Sequence, residues 1–293
     1  MRLRFSRGVV TIAAIVLVLA VAITVGLYNL LSRVEPLREI VAGCSVDVPE
    51  GSLYLEVEQA QIAATIAAVA ARRKLPERAV VIAYATALQE SKLFNLDYGD
   101  RDSLGVFQQR PSQGWGKPKQ LMDPVYSTNK FFAALVKVKG YLKMPLADAA
   151  QEVQRSAAGY AYGPHESDAK ILASAFTGRV PKSLKCVYPP ETTRSATSDS
   201  DAKAADGASA GAARNAAAEP RPAEARRQLA RALGSTAIVS KRRGWLVASW
   251  SVAHAGKYGL RKVGYDGVAW SADPDVEGWK PATGTTTTEV RMS

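Results

Sequence analysis

Glu90 is the side chain in this sequence best placed to act as an acid. It ends a mostly apolar run, Val80–Glu90, and a polar loop rich in Gly, Gln and Asp follows it. A helix that only closes a core more often ends in Lys or Arg, because these suit the negative end of the helix dipole. A carboxylate here, beside apolar neighbours, favours general acid/base chemistry.

The loop after Glu90 supplies the candidate second carboxylates, Asp97, Asp100 and Asp102. A glycosidase that uses two carboxylates needs such a partner at a set distance from the acid. The same aspartates, with Arg101 among them, also suit turn formation and solvation, so both interpretations stay open. The oxygen spacing does not match an EF-hand, which closes with a bidentate glutamate, and we predict no calcium loop.

The sequence predicts no metal site and no cofactor. His165 and His254 are the only histidines, and they lie in different segments of the chain. If the two cysteines are paired, no zinc or heme ligand set can be assembled. No Gly-rich phosphate loop and no Ser-His-Asp arrangement is apparent.

The segments that must position Glu90 are mainly helical. Leu104–Gln109 is the one stretch in this part of the chain whose pattern looks extended. We therefore expect an α-rich domain with a small β element near Glu90. The predicted helices run from Gln59 to Arg73, from Pro76 to Glu90, onward from Asp123-Pro124, from Leu146 to Arg155 and from Glu166 to Phe176.

Composition divides the chain into four parts. Residues 1–36 form a predicted anchor, and residues 37–190 hold the globular patterning and both cysteines. Residues 191–240 are rich in Ala, Ser and Arg and predict a flexible linker, with a transient helix at Pro222–Leu233. Residues 241–293 predict a small α+β module, in which a helix precedes a hairpin that turns at Asp266-Gly267.

The anchor prediction depends on an uncharged, mostly apolar run at residues 9–32. Its length suits a bilayer core of about 30 Å. Arg2, Arg4 and Arg7 precede it, so the positive-inside rule places the N-terminus in the cytoplasm and the bulk of the chain outside the cell membrane. A signal peptide cleaved near Ala20–Ala22 is the alternative.

The net charge of +11 predicts attraction to polyanions. With an exported chain these are wall polymers, phospholipid head groups and peptidoglycan carboxylates, and nucleic acid is not expected. In an oxidising exterior Cys44 and Cys186 are expected to form one disulfide. Acylation of Cys44 in the lipoprotein-like sequence Val41–Cys44 is the competing interpretation.

One motif supports a resemblance to a known fold. Glu90-Ser91 is followed, after a loop, by Ser103-Leu-Gly-Val-Phe-Gln-Gln-Arg-Pro111. Residues 83–140 therefore resemble the lysozyme-like fold of soluble lytic transglycosylases and goose-type lysozymes. The run Gln-Gln-Arg-Pro-Ser-Gln-Gly-Trp-Gly resembles that of a group of membrane-anchored actinobacterial wall proteins, and the likeness covers roughly residues 45–180.

The resemblance implies roles for individual residues. Glu90 would be the general acid/base and Ser91 would hold its carboxylate. Gly105 would let the backbone approach the sugar chain, and Gln108 would hydrogen-bond substrate near the acid. The family also has a tyrosine close to its glutamate, for which the nearest match here is Tyr162, with Tyr160 second, although the usual Tyr-Asn pair is absent.

Aromatic side chains are the remaining candidates for substrate binding. Trp115, Tyr98 and Phe107 suit either the packing of a core or platforms for sugar rings, and both interpretations stay open. The C-terminal module is similar to a terminal piece of other actinobacterial wall hydrolases, with a small structural cap as the alternative.

The fold class expected from these features is mainly α, with an α+β lysozyme-like domain, an N-terminal transmembrane helix and the small C-terminal module. The expected function is a membrane-tethered, extracytoplasmic glycosidase that cleaves β-1,4 MurNAc–GlcNAc bonds of peptidoglycan strands. A lytic transglycosylase is favoured over a muramidase, because a transglycosylase needs no second carboxylate. The alternative is a catalytically silent lysozyme-like protein that binds the wall or scaffolds partners.

Overall fold

The computed structural model of the protein describes residues 7–33, 41–156, 159–188, 220–273, 276 and 278–293. The chain divides into two compact units, Met1–Ile40 and Val41–Ser293. About 52% of the structure is helical, and two small antiparallel sheets accompany the helices.

The described part of the N-terminal unit, residues 7–33, is one helix, α1 (Arg7–Arg33). At about 1.5 Å per residue its 27 residues are long enough to cross a bilayer. Within the described residues, however, no helix is both long enough and apolar enough to span a membrane. Polar side chains interrupt the end of the apolar run, and those of Thr24 and Asn29 hydrogen-bond to backbone carbonyls one turn earlier. The predicted membrane span at residues 9–32 is therefore wrong, and with it the predicted single-pass membrane localisation.

Six helices of the second unit lie before residue 180. Every helix predicted in this region forms, and its ends lie within about two residues of the prediction. Asp123 caps α5 by accepting a hydrogen bond from the Val125 N–H, as its position before Pro124 favours. The helices are α2 (Val57–Arg72), α3 (Glu77–Ser91), α4 (Pro118–Leu121), α5 (Pro124–Leu135), α6 (Leu146–Gln154) and α7 (Glu166–Phe176).

A three-stranded antiparallel sheet that the sequence analysis missed joins the two ends of this region. It contains β1 (Gly43–Val48), β2 (Gly51–Leu55) and β3 (Leu184–Val187), with β1 in the centre. Cys44 lies directly opposite Cys186 in this sheet, and the two form the expected disulfide. The alternative, acylation of Cys44, is wrong because its sulfur is bonded to Cys186.

The C-terminal part contains the expected helix and hairpin within a larger set of elements. Strands β4 and β5 pair through the turn at Asp266-Gly267, where both residues have positive φ, as a type I′ turn requires. The second sheet has the order β6-β5-β4-β7. The elements are α8 (Pro222–Leu233), α9 (Lys241–Ala253), α10 (Ala255–Tyr258), β4 (Lys262–Tyr265), β5 (Val268–Ser271), β6 (Trp279–Pro281) and β7 (Arg291–Met292).

These C-terminal elements share one hydrophobic core with the preceding helices. Helices α8 and α9 both pack on α2. Gly178, with φ +72°, permits close contact with α9, because a Cβ atom there would lie 2.0 Å from the Arg242 carbonyl oxygen. Of the predicted linker, residues 191–219 lie outside the described residues, and Pro222–Leu233 is a helix that buries Leu229 and Leu233.

Candidate functional site

Helix α3 ends immediately after Glu90 in a sharp, left-handed turn. Lys92 and Leu93 have φ of 55° and 63°. The Leu93 N–H donates to the Ala87 carbonyl, and the fully buried Leu93 side chain anchors the turn. Two successive non-glycine residues in this conformation carry a backbone cost. The turn leaves Glu90 half-buried in the last turn of α3.

Tyr162 is the closest hydrogen-bond partner of the Glu90 carboxylate. Its hydroxyl donates to Glu90 Oε1 at 2.7 Å, from a 3₁₀ segment at Gly159–His165. Burial, and after it the bond to Glu90, raises the pKa of Tyr162 well above its usual value, so the phenol stays a donor. Among the residues that the structure describes, none donates a hydrogen bond to Glu90 Oε2. A protonated Glu90 would therefore carry its proton on Oε2.

Ser91 ties the end of α3 to the turn at Leu104–Gln109. Its hydroxyl oxygen lies 2.8 Å from the Val106 carbonyl oxygen and 3.1 Å from that of Ala87. Leu104 and Gln109 close the turn with an isolated β-bridge, where the sequence predicted an extended stretch. Ser91 thus bonds the turn rather than the Glu90 carboxylate expected from the resemblance.

Gly105 and Gln108 hold the same turn against the rest of the protein. Gly105 has φ +75°, and a Cβ atom there would lie 2.5 Å from the Leu121 carbonyl oxygen. The close neighbour of Gly105 is therefore α4, and not the sugar chain that the resemblance implied. Gln108 Nε2 lies 3.3 Å from the Tyr98 carbonyl oxygen and 3.2 Å from that of Gly105. The amide of Gln108 consequently bonds the loop after α3.

Asp102 is engaged in structure-forming contacts. Its carboxylate accepts from Arg110 Nε at 2.7 Å, and from the N–H and hydroxyl of Ser112 at 2.7 and 2.9 Å. These bonds, that from Arg110 first, hold the pKa of Asp102 well below its usual range. Asp97 and Asp100 lie exposed in the same loop. Asp102 therefore fixes the loop, as the turn-forming interpretation expected.

The aromatic candidates separate into buried and exposed residues. Phe107 is fully buried and stacks on Phe131 at a ring separation of 4.5 Å, so it belongs to the core. Tyr98, in the loop that Gln108 bonds, is 69% exposed, and Tyr160, two residues before Tyr162, is 82% exposed. Trp115 is half-buried and packs against the edge of the core.

Trp115 lines a separate open cavity of about 1000 Å³ between α5, α6 and the segments beside them. Glu90 does not line this cavity. Gln154, at the end of α6, connects the two places, since it lines the cavity and its Nε2 donates to the Phe107 carbonyl at 2.8 Å. The candidate site therefore consists of the Glu90–Tyr162 pair, with Trp115 in the neighbouring cavity.

Several residues near the site were not identified from the sequence. His165 Nε2 lies 3.0 Å from Gln89 Oε1, beside Glu90 in α3. Burial, with Lys92 nearby, lowers the pKa of His165 and favours its neutral form. Gln154 and Gln89 are polar residues at the ends of predicted helices, and this position was the only feature in the sequence that could have indicated a role near the site.

No protein-family model matches the chain, and no curated protein matches it. Over the described ranges, no three His, Cys, Asp or Glu side chains come together as metal ligands.

Proposed function

We propose that this protein is a peptidoglycan glycosidase with Glu90 as general acid and base, acting as a lytic transglycosylase. The observation that supports this most is the 2.7 Å hydrogen bond from Tyr162 to Glu90 Oε1. This bond fixes one carboxylate oxygen and leaves Oε2 for substrate. The motif shared with lysozyme-like proteins, described above, supports the same assignment.

In the proposed reaction, Glu90 Oε2 donates its proton to the glycosidic oxygen as the bond between that oxygen and C1 of MurNAc breaks. The neighbouring N-acetyl group of the substrate assists departure. The C6 hydroxyl of the same sugar then bonds to C1, and its proton passes to the Glu90 carboxylate, which restores the acid. No water is consumed, and the product ends in a 1,6-anhydro sugar. An acid of this kind contributes about 10²–10⁴-fold to the rate.

The state of the loop aspartates favours the transglycosylase over the two-carboxylate mechanisms. A retaining or inverting hydrolase needs a second carboxylate that is free to attack C1 or to activate water. Both oxygens of Asp102 are bonded to Arg110 and Ser112. Asp97 and Asp100 are exposed on the loop after α3, which suits turn formation and solvation more than a carboxylate held at a set distance from Glu90.

Two exposed tyrosines support carbohydrate as the substrate. Tyr98 and Tyr160 lie on the loop and the 3₁₀ segment that adjoin the Glu90–Tyr162 pair. Aromatic rings present a large apolar face at low entropic cost, which suits contact with the faces of sugar rings.

Analysis of the product ends tests the proposal. The full chain and its Glu90→Gln variant would be incubated with purified peptidoglycan, and the released muropeptides analysed by mass spectrometry. The full chain is used because residues 220–293 share the core of the preceding helices. We expect products lighter than the hydrolytic ones by one water, and none from the variant. Reducing ends would instead indicate a hydrolase.

A second candidate function, a lysozyme-like wall-binding protein without turnover, is favoured by one feature. Ser91 and Gln108, expected to serve the acid and the substrate, both bond the protein itself. Under this alternative, wild type and Glu90→Gln would sediment equally with peptidoglycan, and neither would release muropeptides.

A further inference from the structure

The cavity lined by Trp115 is strongly cationic. Four basic side chains line it, from α5, the segment after α5 and the end of α6, whereas Glu152 is the one carboxylate among its described lining residues. Its volume of about 1000 Å³ lies within the range of ligand sites. The basic residues are Lys130, Lys137, Lys139 and Arg155.

The charges of these four residues are not neutralised within the described part of the protein. None of them forms an ion pair with a carboxylate there, unlike Arg78, which pairs with Glu166, and Arg110, which pairs with Asp102. Like charges gathered around one cavity repel each other unless an anion enters. The cavity is therefore electrostatically complementary to a ligand that carries several negative charges.

A hydrogen bond and contacts with the Tyr126 ring hold one wall of the cavity in place. The Tyr126 hydroxyl donates to the Trp115 carbonyl at 3.3 Å, and Lys130 Nζ lies 5.5 Å from the centre of the Tyr126 ring. Gly116 lets the chain lie against this ring, because a Cβ atom there would be 2.7 Å from the Tyr126 hydroxyl oxygen. The indole of Trp115 and the lysine of α5 are thus held at one side of the same cavity.

A continuous chain of contacts joins this cavity to Glu90. Gln154 lines the cavity and donates to the Phe107 carbonyl. Val106, the residue before Phe107, accepts from Ser91, which follows Glu90 in sequence. A ligand in the cavity would therefore lie beside the turn to which Ser91, the residue after Glu90, is hydrogen-bonded. A flexible substituent of a bound sugar strand is the simplest occupant of such a place.

We infer that the cavity binds the carboxylate-bearing peptide stem of the glycan strand whose bond lies at Glu90. This inference rests on the proposed function and adds a second determinant of substrate choice. The stem is joined to MurNAc through its lactyl ether and carries free carboxylates. Five extended residues reach about 17 Å from the sugar. Trp115 would contact the alkyl parts of the stem, and the unpaired lysines and Arg155 its carboxylates.

Phosphodiester wall polymers would satisfy the same charges, but the position of the cavity favours the stem. A wall polymer joined to C6 of the reacting MurNAc would block the C6 attack proposed above, whereas the stem leaves C6 free and is delivered to the cavity by the sugar it is attached to. Because the stem is attached to a sugar that is already bound, its effective concentration at the cavity is raised.

The test measures binding without cleavage, in full-length Glu90→Gln protein. Three probes would be titrated by calorimetry at low salt: peptidoglycan oligosaccharides with stems, the same oligosaccharides after amidase removal of the stems, and a soluble phosphodiester wall polymer. We expect the stems to tighten binding at least 10-fold. The triple variant Lys137→Gln/Lys139→Gln/Arg155→Asn should lose that gain and bind stem-free glycan as before. Asn at 155 tolerates the positive φ of 53°.

Lys262→Gln, an exposed lysine of β4 remote in sequence from the cavity, is the matched control and should retain the gain. Salt should weaken the gain, because exposed charges are screened. Equal affinity for glycan with and without stems, an unaffected triple variant, or tighter charge-dependent binding of the phosphodiester polymer would each overturn the inference.

Failure of this inference is distinguishable from failure of the proposed function. The binding test contains no turnover, and the product test contains no cavity variant. Glu90-dependent cleavage with no preference for stems would remove the inference alone. Stem-dependent binding without any cleavage would remove the glycosidase and leave the wall-binding alternative.

Discussion

The end of α3 and the junction between β3 and the second sheet differ in how their polar groups are buried and hydrogen-bonded. At the junction, the indole N–H groups of Trp270 and Trp279 donate to the carbonyls of Cys186 and Leu184, in a largely buried setting. At the end of α3, Glu90 is half-buried, and one of its oxygens accepts no hydrogen bond from the residues that the structure describes; the backbone beside it has positive φ at Lys92 and Leu93. The junction is closely packed, whereas the α3 end keeps the carboxylate of the proposed acid accessible at some cost in stability.

The largest expected effect lies in the junction. Trp270 is fully buried and packs edge-on against Tyr188 at a ring separation of 6.0 Å. We expect Trp270→Ala to lower the free energy of unfolding by about 3–5 kcal/mol, because it leaves a large cavity. Denaturant titration measures this change. Trp270→Phe should cost clearly less, and equal stability of all three proteins would refute the packing role.

The next effect concerns Tyr162, whose phenol orients Glu90. A hydrogen bond to a charged group contributes about 1.5–3 kcal/mol. We therefore expect Tyr162→Phe to reduce kcat/KM roughly 10–100-fold while the fold is retained. Muropeptide release under first-order conditions measures this. Tyr54→Phe, at an exposed tyrosine of β2, is the matched control, and a normal rate for Tyr162→Phe would show that Glu90 needs no such partner.

His254, in the C-terminal half, links stability to pH. Its ring stacks on Trp250 at a ring separation of 3.9 Å and lies 6.3 Å from the Tyr258 ring, and burial lowers its pKa to about 3 despite its bond to the Trp250 carbonyl. The unfolded chain has a His pKa of about 6.5, so below that pH the unfolded state binds a proton that the folded state excludes. The contribution is complete above pH 6.5 and is lost as pH falls toward 3.

Between pH 6.5 and 5 we expect His254 to account for a loss of about 1–2 kcal/mol in the free energy of unfolding. Denaturant titrations at both pH values measure it. His254→Phe keeps an aromatic stack without the titrating group, so its stability should change less over the same interval. An identical pH dependence in both proteins would assign the effect to other groups.

The smallest effect tests the backbone cost at the α3 end. Lys92 is exposed and has φ 55°, which glycine adopts without penalty. Lys92→Gly should raise the free energy of unfolding by about 0.5–1 kcal/mol, and Lys92→Ala should not. Stability that falls with glycine would mean that the turn stores no strain.

The sequence was informative about local structure near this site. The helical spacing of apolar residues predicted α2, α3 and α7 closely, and the position of Glu90 at the end of an apolar helix identified the candidate acid. Strands β1 and β3 were missed, although Cys44-Ser-Val-Asp-Val48 alternates polar and apolar residues. Their pairing joins residues about 140 positions apart, such as Cys44 and Cys186 with a separation of 142, which no local pattern reveals.

Residues assembled by long-range packing were the least predictable. Tyr162 came from the resemblance, and only the fold brings its hydroxyl to Glu90. The cationic cavity collects residues between 113 and 155 that share no pattern in sequence. The membrane span was predicted from a run of apolar residues in the sequence, and this prediction was wrong. The roles expected for Ser91 and Gln108 took no account of the turn at Leu104–Gln109. Ser91 hydrogen-bonds to this turn, and Gln108 lies in it and hydrogen-bonds to the loop after α3.

The most direct test of the account is the rate of muropeptide release by the full chain and by Glu90→Gln, at matched folded concentrations. Asp97→Asn/Asp100→Asn is the control for the loop carboxylates. The account predicts a loss of about 10²–10⁴-fold for Glu90→Gln with an unchanged unfolding midpoint, and a change of at most about threefold for the aspartate variant. A wild-type rate in Glu90→Gln, or its loss in the aspartate variant instead, would contradict the assignment of Glu90 as the acid.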